Sequence, residues 1–202
     1  RELLPVEEAK GLTLESSVVR NRIVNTSLDT AVKSNPAPLY SKSFAKRVQT
    51  GNFEDDMSKI AQVDWIIEVV VERLDIKKSV FEQVEKYRKQ GTLITSNTSG
   101  IPIHMMNEGR TDDFKAHFCG THFFNPPRYL QLLEIIPTAD TKKEVVDFLM
   151  YFGDKMLGKI VVLCKDTPAF IGNRIGVYSM LALTHLVDQL GLTVEEVDKY
   201  TG

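Results

Sequence analysis

Apolar positions along the 202 residues change period several times. Trp65-Ile66-Ile67-Glu68-Val69-Val70-Val71 is a mostly β-branched run with one charge inside it, the composition of a strand buried on both faces. After Arg73 the period lengthens: Ile76, Val80, Val84 and Tyr87 fall on one stripe of a helix that Gly91 can terminate. Leu93-Ile94-Thr95 returns to strand character. Strand, helix and strand between Asp64 and Thr95 make a segment of βαβ size, which predicts two parallel strands joined by a right-handed crossover.

A looser version of the pattern follows. Phe118 to Phe124 reads as a strand stopped by Asn125-Pro126-Pro127, since consecutive prolines cannot continue a ladder. Leu132 to Ile136 reads as another, ended by Pro137. Thr141 with Glu144 has capping-box spacing and predicts a helix whose Val145, Leu149, Phe152 and Met156 share a face, with Gly158 as its stop. Ile160 to Leu163 is one more strand. This alternation predicts a doubly wound α/β sheet covered on both faces. From Pro168 to Leu190 comes a long, mostly apolar helix that must be covered nearly all round, by a second, helical domain or by a subunit interface. Thr193 and Glu196 then signal another helix start. The first fifty residues mix polar helical stretches with Ser34-Asn35-Pro36-Ala37-Pro38, a loop by composition.

Charge narrows the classes of partner. With 25 basic and 27 acidic side chains the formal net charge is −2, which argues against a general nucleic-acid binder. Cys119 and Cys164 each sit in an apolar run, without a C-x-x-C or a Cys/His cluster, and read as buried free thiols. No apolar stretch has the length of a membrane span, and Arg1-Glu2-Leu3-Leu4-Pro5 lacks the layout of a signal peptide, so a cytoplasmic location is expected. Without an export signal, the glycosylation-like triplets at Asn25 and Asn97 carry no chemistry. Because it starts without methionine and stops just as a helix begins, the chain reads as an excised piece of a longer protein.

In an open α/β sheet ligands bind beyond the carboxyl ends of the strands. The strand at Leu93 delivers Ser96-Asn97-Thr98-Ser99-Gly100, four small polar side chains that suit either a ligand or a turn satisfying its own backbone. The strand ending at Thr121 delivers His122 and, two phenylalanines later, Asn125. Glu134 lies in the middle of an apolar strand and needs a partner, because an unpaired buried carboxylate is costly. A Pro-Pro turn that folds its strand back beside the preceding one supplies His122. Such a carboxylate fixes the imidazole tautomer and leaves the other ring nitrogen free as a general base. There is no G-x-S-x-G elbow for a serine nucleophile, no metal-ligand spacing among His104, His117, His122 and His185, and no G-x-G-x-x-G fingerprint. On motif arithmetic alone, the chain cannot be called a nucleotide binder.

Taken together, Ser96-Asn97-Thr98-Ser99, His122-Phe123-Phe124-Asn125-Pro126, Leu133-Glu134-Ile135-Ile136 and the stretch Lys165-Asp166-Thr167-Pro168-Ala169-Phe170-Ile171-Gly172-Asn173-Arg174 closely resemble the L-3-hydroxyacyl-CoA dehydrogenases of fatty-acid β-oxidation. The resemblance implies an NAD-dependent oxidoreductase that turns an L-3-hydroxyacyl-CoA into the 3-oxoacyl-CoA. It implies His122 as the base that takes the proton of the 3-hydroxyl, Glu134 as the carboxylate that orients it, and Ser99 and Asn173 around the substrate oxygen. Glu72 and Lys77 match positions that contact the cofactor, and Asn97 and Asn125 match positions near the nicotinamide and the catalytic histidine.

The implied fold is a Rossmann-like doubly wound sheet lacking its first βαβ unit, followed by the first helix of an all-α C-terminal domain. Residues 1–52 would be an N-terminal helical insert of the kind found in bacterial members often fused to an enoyl-CoA hydratase. Residues 53–166 would be the remainder of the NAD-binding domain, and 167–202 the start of the helical domain that makes the dimer. The first βαβ unit, with its pyrophosphate-binding glycine loop, is expected immediately before Arg1, so that this chain alone binds NAD weakly or not at all. Gly100 and Ala169 depart from the family's usual serine and glycine. No metal is implied; the expected partners are an acyl-CoA and a second subunit, with neither nucleic acid nor a membrane span. A 3-hydroxybutyryl-CoA dehydrogenase shares every motif and stays open. A non-catalytic module that keeps the fold predicts loss of the His122 and Glu134 pair.

Overall fold

The computed structural model describes residues 2–201. Three short helices, α1 (Pro5–Glu8), α2 (Ser17–Arg20) and α3 (Arg22–Lys33), precede two 3₁₀ segments at Lys42–Arg47 and Met57–Gln62. Then come β1 (Trp65–Glu68), α4 (Leu74–Tyr87), β2 (Leu93–Ser96), α5 (Ile103–Asn107), α6 (Asp112–Ala116), β3 (Phe118–Phe123) and β4 (Leu132–Pro137). The chain continues through α7 (Lys143–Tyr151), a π-helical extension at Phe152–Met156, β5 (Ile160–Leu163), α8 (Gly172–Leu190) and α9 (Val194–Thr201). The five strands lie in sequence order in one sheet. All pairings are parallel except β3 with β4, which is antiparallel.

Alternation along the strands sends neighbouring side chains to opposite faces, and each face acquires its own core. Ile94, Phe118 and Ile136 join Phe81 and Val84 of α4, Ile103 and Met106 of α5 and Phe114 of α6. Leu93, Cys119, Leu133 and Ile135 join Val145 and Leu149 of α7. Helices therefore cover both faces, as the alternating pattern predicts, and both cysteines are free and buried. In the first core Phe81 meets Phe118 edge-on with ring centroids 5.2 Å apart.

Four expectations need correction. The helix read from Pro168 begins only at Gly172, because Ala169 and Phe170 take positive φ and turn the chain. The strand read over Trp65 to Val71 stops at Glu68, and Ile67, Val69 and Val71 are exposed. The physical cause is Glu68: its carboxylate turns inward and accepts the N–H of Val70 at 2.6 Å, which takes the backbone out of the ladder. Nor is α4 ended by Gly91, since Arg88 is already extended; Gly91, at φ 78°, serves the turn into β2. Thr141 and Glu144 do not form a capping box. The Thr141 hydroxyl instead donates to the carbonyl of Phe118 at 2.7 Å and accepts the N–H of Thr138 at 2.9 Å, tying the α7 entry to β3. The box read at Thr193 and Glu196 does form, with bonds of 2.9 and 3.3 Å.

Residues before β1 fasten onto the sheet domain through polar contacts. Arg128, in the loop between β3 and β4, donates to the carbonyls of Ala37 and Leu39, both at 2.8 Å, while Arg20 ties to Asp55 at 2.7 Å within the segment before β1. The Ser34–Pro38 loop thus rests beside the turn that follows His122. Helix α8 presents no buried residue among those described.

Candidate active site

The antiparallel β3–β4 hairpin sets His122 directly opposite Glu134. Opposed residues of an antiparallel pair share a face with their Cβ atoms close together, so two strands with no other carboxyl or basic side chain deliver one acid and one base to the same point. Nδ1 of His122 lies 2.7 Å from Oε2 of Glu134, and both side chains are buried, at 4% and 0% exposure. The carboxylate partner requires the shared hydrogen on Nδ1, which leaves Nε2 as the proton-accepting atom.

The second oxygen of Glu134 is held from another direction. Oε1 accepts the backbone N–H of Ile171 at 3.0 Å and of Gly172 at 2.7 Å, the first amides of α8. Helix amino termini present unpaired N–H groups and a partial positive charge, so a carboxylate there is stabilised. Two consecutive residues with positive φ, Ala169 at 62° and Phe170 at 49°, turn the chain so that these amides face the sheet. Gly172 is required by space: a Cβ there would stand 2.7 Å from the ring of Phe124. The rings of Phe124 and Phe170 flank the imidazole at 4.5 and 5.6 Å between centroids, giving the pair an apolar surround. Cys164, just past β5, has its thiol pushed up to about 12, first by burial and then by the Glu134 charge, and so stays neutral.

Around this pair the ends of β1 and β2 are tied together. The Asn97 side-chain oxygen accepts the N–H of Phe123 at 2.9 Å, locking the exit of β2 to the residue after His122. The Asn173 amide donates to the carbonyl of Ser99 at 3.3 Å, so the structure brings together the two residues assigned to the substrate oxygen. Glu72 accepts from the Thr98 hydroxyl at 2.5 Å and from the N–H of Ser99 and Gly100 at 3.0 and 3.1 Å, with Lys77 3.3 Å away. Partial burial raises the Glu72 carboxyl, but the Thr98 hydrogen bond, the Lys77 charge and the two amides outweigh it and hold it below its ordinary value. Lys77 itself is buried and bonds Glu68 at 2.8 and 3.1 Å, while Ser96 donates to the same carboxylate at 2.5 Å. Asn125 is exposed, precedes a cis peptide bond to Pro126, and makes no side-chain hydrogen bond among the described residues.

A profile of the family described as 3-hydroxyacyl-CoA dehydrogenase, NAD binding domain, matches residues 14–167. The chain belongs to that family. It is 51% identical over its whole length to a probable 3-hydroxyacyl-CoA dehydrogenase of Bacillus subtilis, of which it covers 26%. A protein of the same description from Deinococcus radiodurans is 45% identical over 91% of the chain and 53% of its own length. The chain therefore spans about a quarter and about half of these two relatives. The crystal structure of FadB2 from M. tuberculosis superposes with a TM-score of 0.71 at 30% identity, over 90% of this chain and 62% of that one.

Membership of an NAD-binding family requires donors and acceptors at the carboxyl ends of β1 and β2, and those present fit the nicotinamide-ribose half of the cofactor. Glu72 offers an ionised carboxylate there. Asn97 has its oxygen committed to the backbone and its amide nitrogen uncommitted among the described residues. Lys77 contributes by bracing Glu72 from a buried position. No glycine-rich loop for the pyrophosphate occurs in the 202 residues.

Several residues that build this site escape sequence reading. Glu68 has the same signal as Glu134, a single carboxylate in an apolar run, and Lys77 nine positions later is its partner. Thr98 was legible only as one of four small polar residues. The amides of Ile171 and Gly172 leave no side-chain signal at all. Among the described residues, no group of three His, Cys, Asp or Glu side chains could hold a metal ion, and no helix is long and apolar enough to cross a membrane.

Proposed function

We propose that the protein oxidises L-3-hydroxyacyl-CoA to 3-oxoacyl-CoA with NAD, and that His122 is its base. The observation that carries the reading is the hydrogen-bonded His122–Glu134 pair at the carboxyl end of β3 in an NAD-binding family. NAD, when bound, supplies the hydride acceptor. The chain's own residues do the rest. Nε2 of His122 takes the proton of the substrate hydroxyl. Glu134 holds the ring and offsets the positive charge that develops on it. Ser99 and Asn173 orient the oxygen, Asn97 and Glu72 orient the nicotinamide end with Lys77 behind them, and Asn125 approaches from the hairpin loop. Phe124 and Phe170 keep water from the imidazole. A module that merely keeps the fold has no use for a buried carboxylate–imidazole pair that leaves one ring nitrogen uncommitted.

In this reading the enzyme is cytoplasmic, in keeping with two free thiols. It is also a homo-oligomer whose further protein covers the exposed apolar residues of α8, among them Ile175, Tyr178 and Leu181. NADH formation by the full-length protein from the L and D enantiomers of a 3-hydroxyacyl-CoA tests the activity. Turnover of the L form alone is expected. A folded protein that turns over neither, at short or long acyl length, would discard the reading.

A further inference from the structure

The amides that reach Glu134 from α8 have a consequence of their own. Glu134 is fully buried and accepts from the imidazole and from two backbone amides at the start of a 19-residue helix, with the Cys164 thiol beside them. The neutral Cys164 thiol also bonds the Glu134 side chain, but no residue of α8 is buried among those described, so the two amides are a principal link between α8 and the sheet. We propose that the amino terminus of α8 is the third partner of the His122–Glu134 pair, a positioning element that stabilises its net negative charge and so sets the pH at which His122 becomes a competent base. The inference builds on the dehydrogenase reading for its catalytic meaning and on the geometry alone for its existence.

The sign follows from the pair as a unit. Before it takes a proton, the pair carries one negative charge; afterwards it is neutral overall, whether the proton sits on the ring or on the carboxylate. Two amides and the positive end of a helix dipole favour the charged form. Removing a donor destabilises that form, so the pair holds a proton to higher pH in either arrangement. Other charges around the pair do not take over this role. Cys164 is neutral; Glu68, Glu72 and Lys77 are committed to one another; Asp166 is bonded to His104 at 2.7 Å; Lys165 and Arg174 are exposed. The arrangement also couples the helix to the chemistry, since a shift of α8 away from the sheet removes both donors together.

The Gly172 N–H that bonds Glu134 can be deleted by proline, which a first helical position tolerates, although Ile171 before it lies in the αR region that a following proline disfavours. Gly172→Ala and Gly172→Pro in the full-length protein both add a Cβ against Phe124, and only the second deletes the N–H. The readouts are the titration of the His122 ring followed by ¹⁵N NMR and the acid limb of kcat/KM. The titration midpoint is expected about one pH unit higher in Gly172→Pro than in Gly172→Ala, the size carried by one charge-assisted hydrogen bond, with the acid limb moving in step. If the proline variant fails to fold, a backbone ester at position 172 deletes the same N–H without a side chain. Equal midpoints in Gly172→Ala and the N–H-deleted form would overturn the proposal, even if turnover fell. A raised midpoint in a protein with no dehydrogenase activity would uphold the amide contact while discarding the reaction.

Discussion

Glu68 and Glu134 are two carboxylates in the same situation, each set in an apolar strand of one sheet, each buried, each facing a basic nitrogen within 2.8 Å. What separates them is the partner. Glu68 faces the Lys77 ammonium, and the pair is closed further by the Ser96 hydroxyl and the Val70 amide. Glu134 faces an imidazole whose Nδ1 is engaged and whose Nε2 stays uncommitted among the described residues. The first arrangement is finished when the protein folds, and its work is to fix the ends of β1 and β2 and, through Lys77, to brace Glu72. The second is unfinished until something brings a proton. Burial of a charge identifies a site that folding had to arrange; the proton capacity left over tells a strut from a catalyst.

Substitutions can break this contrast in graded steps. Lys77→Met leaves Glu68 buried without its cation and should cost about 3–5 kcal/mol of stability, read as a large drop in the thermal unfolding midpoint. Pairing it with Glu68→Leu should restore much of that loss, because removing both charges is far cheaper than stranding one. Glu134→Gln should lower kcat by about ten- to a hundredfold, equivalent to one hydrogen bond to a charged group, with KM for the acyl-CoA little changed. Asn173→Ala should cost less, about tenfold in kcat/KM, if its contact to the Ser99 carbonyl orients the substrate oxygen; an unchanged value would reduce Asn173 to scaffold.

The smallest effect concerns pH and Glu72. Its folded carboxyl lies below the ordinary value of 4.5, so its contribution to stability is present above that pH and is lost as pH falls through the lower, folded value. Glu72→Gln should therefore lower stability by a constant amount near neutrality, with the gap to the wild type closing as pH falls below about 4.5. A difference between the two proteins that grew above neutral pH would contradict the assigned hydrogen bonds.

How much of this was readable beforehand depends on the kind of signal. Strand and helix alternation announced the layered sheet, and the Pro-Pro stop after Phe124 announced the hairpin that pairs His122 with Glu134. Strand ends were less legible: nothing in the run Val69 to Val71 says that Glu68 will capture the Val70 amide and end β1 early. Thr141 looked like a cap by spacing, yet the Phe118 carbonyl competed for its hydroxyl and won. Side-chain chemistry was legible wherever a charge interrupted an apolar run, as at Glu134. Backbone donors such as the Gly172 N–H are carried by every residue type, and only the three-dimensional turn at Ala169 and Phe170 gives them a target.

The central claim is that His122 holds the proton-accepting nitrogen of the reaction. It is tested most directly by kcat for NADH formation from an L-3-hydroxyacyl-CoA by the full-length protein, wild type against His122→Ala, with both shown to be folded. The account predicts a loss of about 10²- to 10⁴-fold in kcat with KM nearly unchanged. Wild-type turnover in the alanine variant would contradict it.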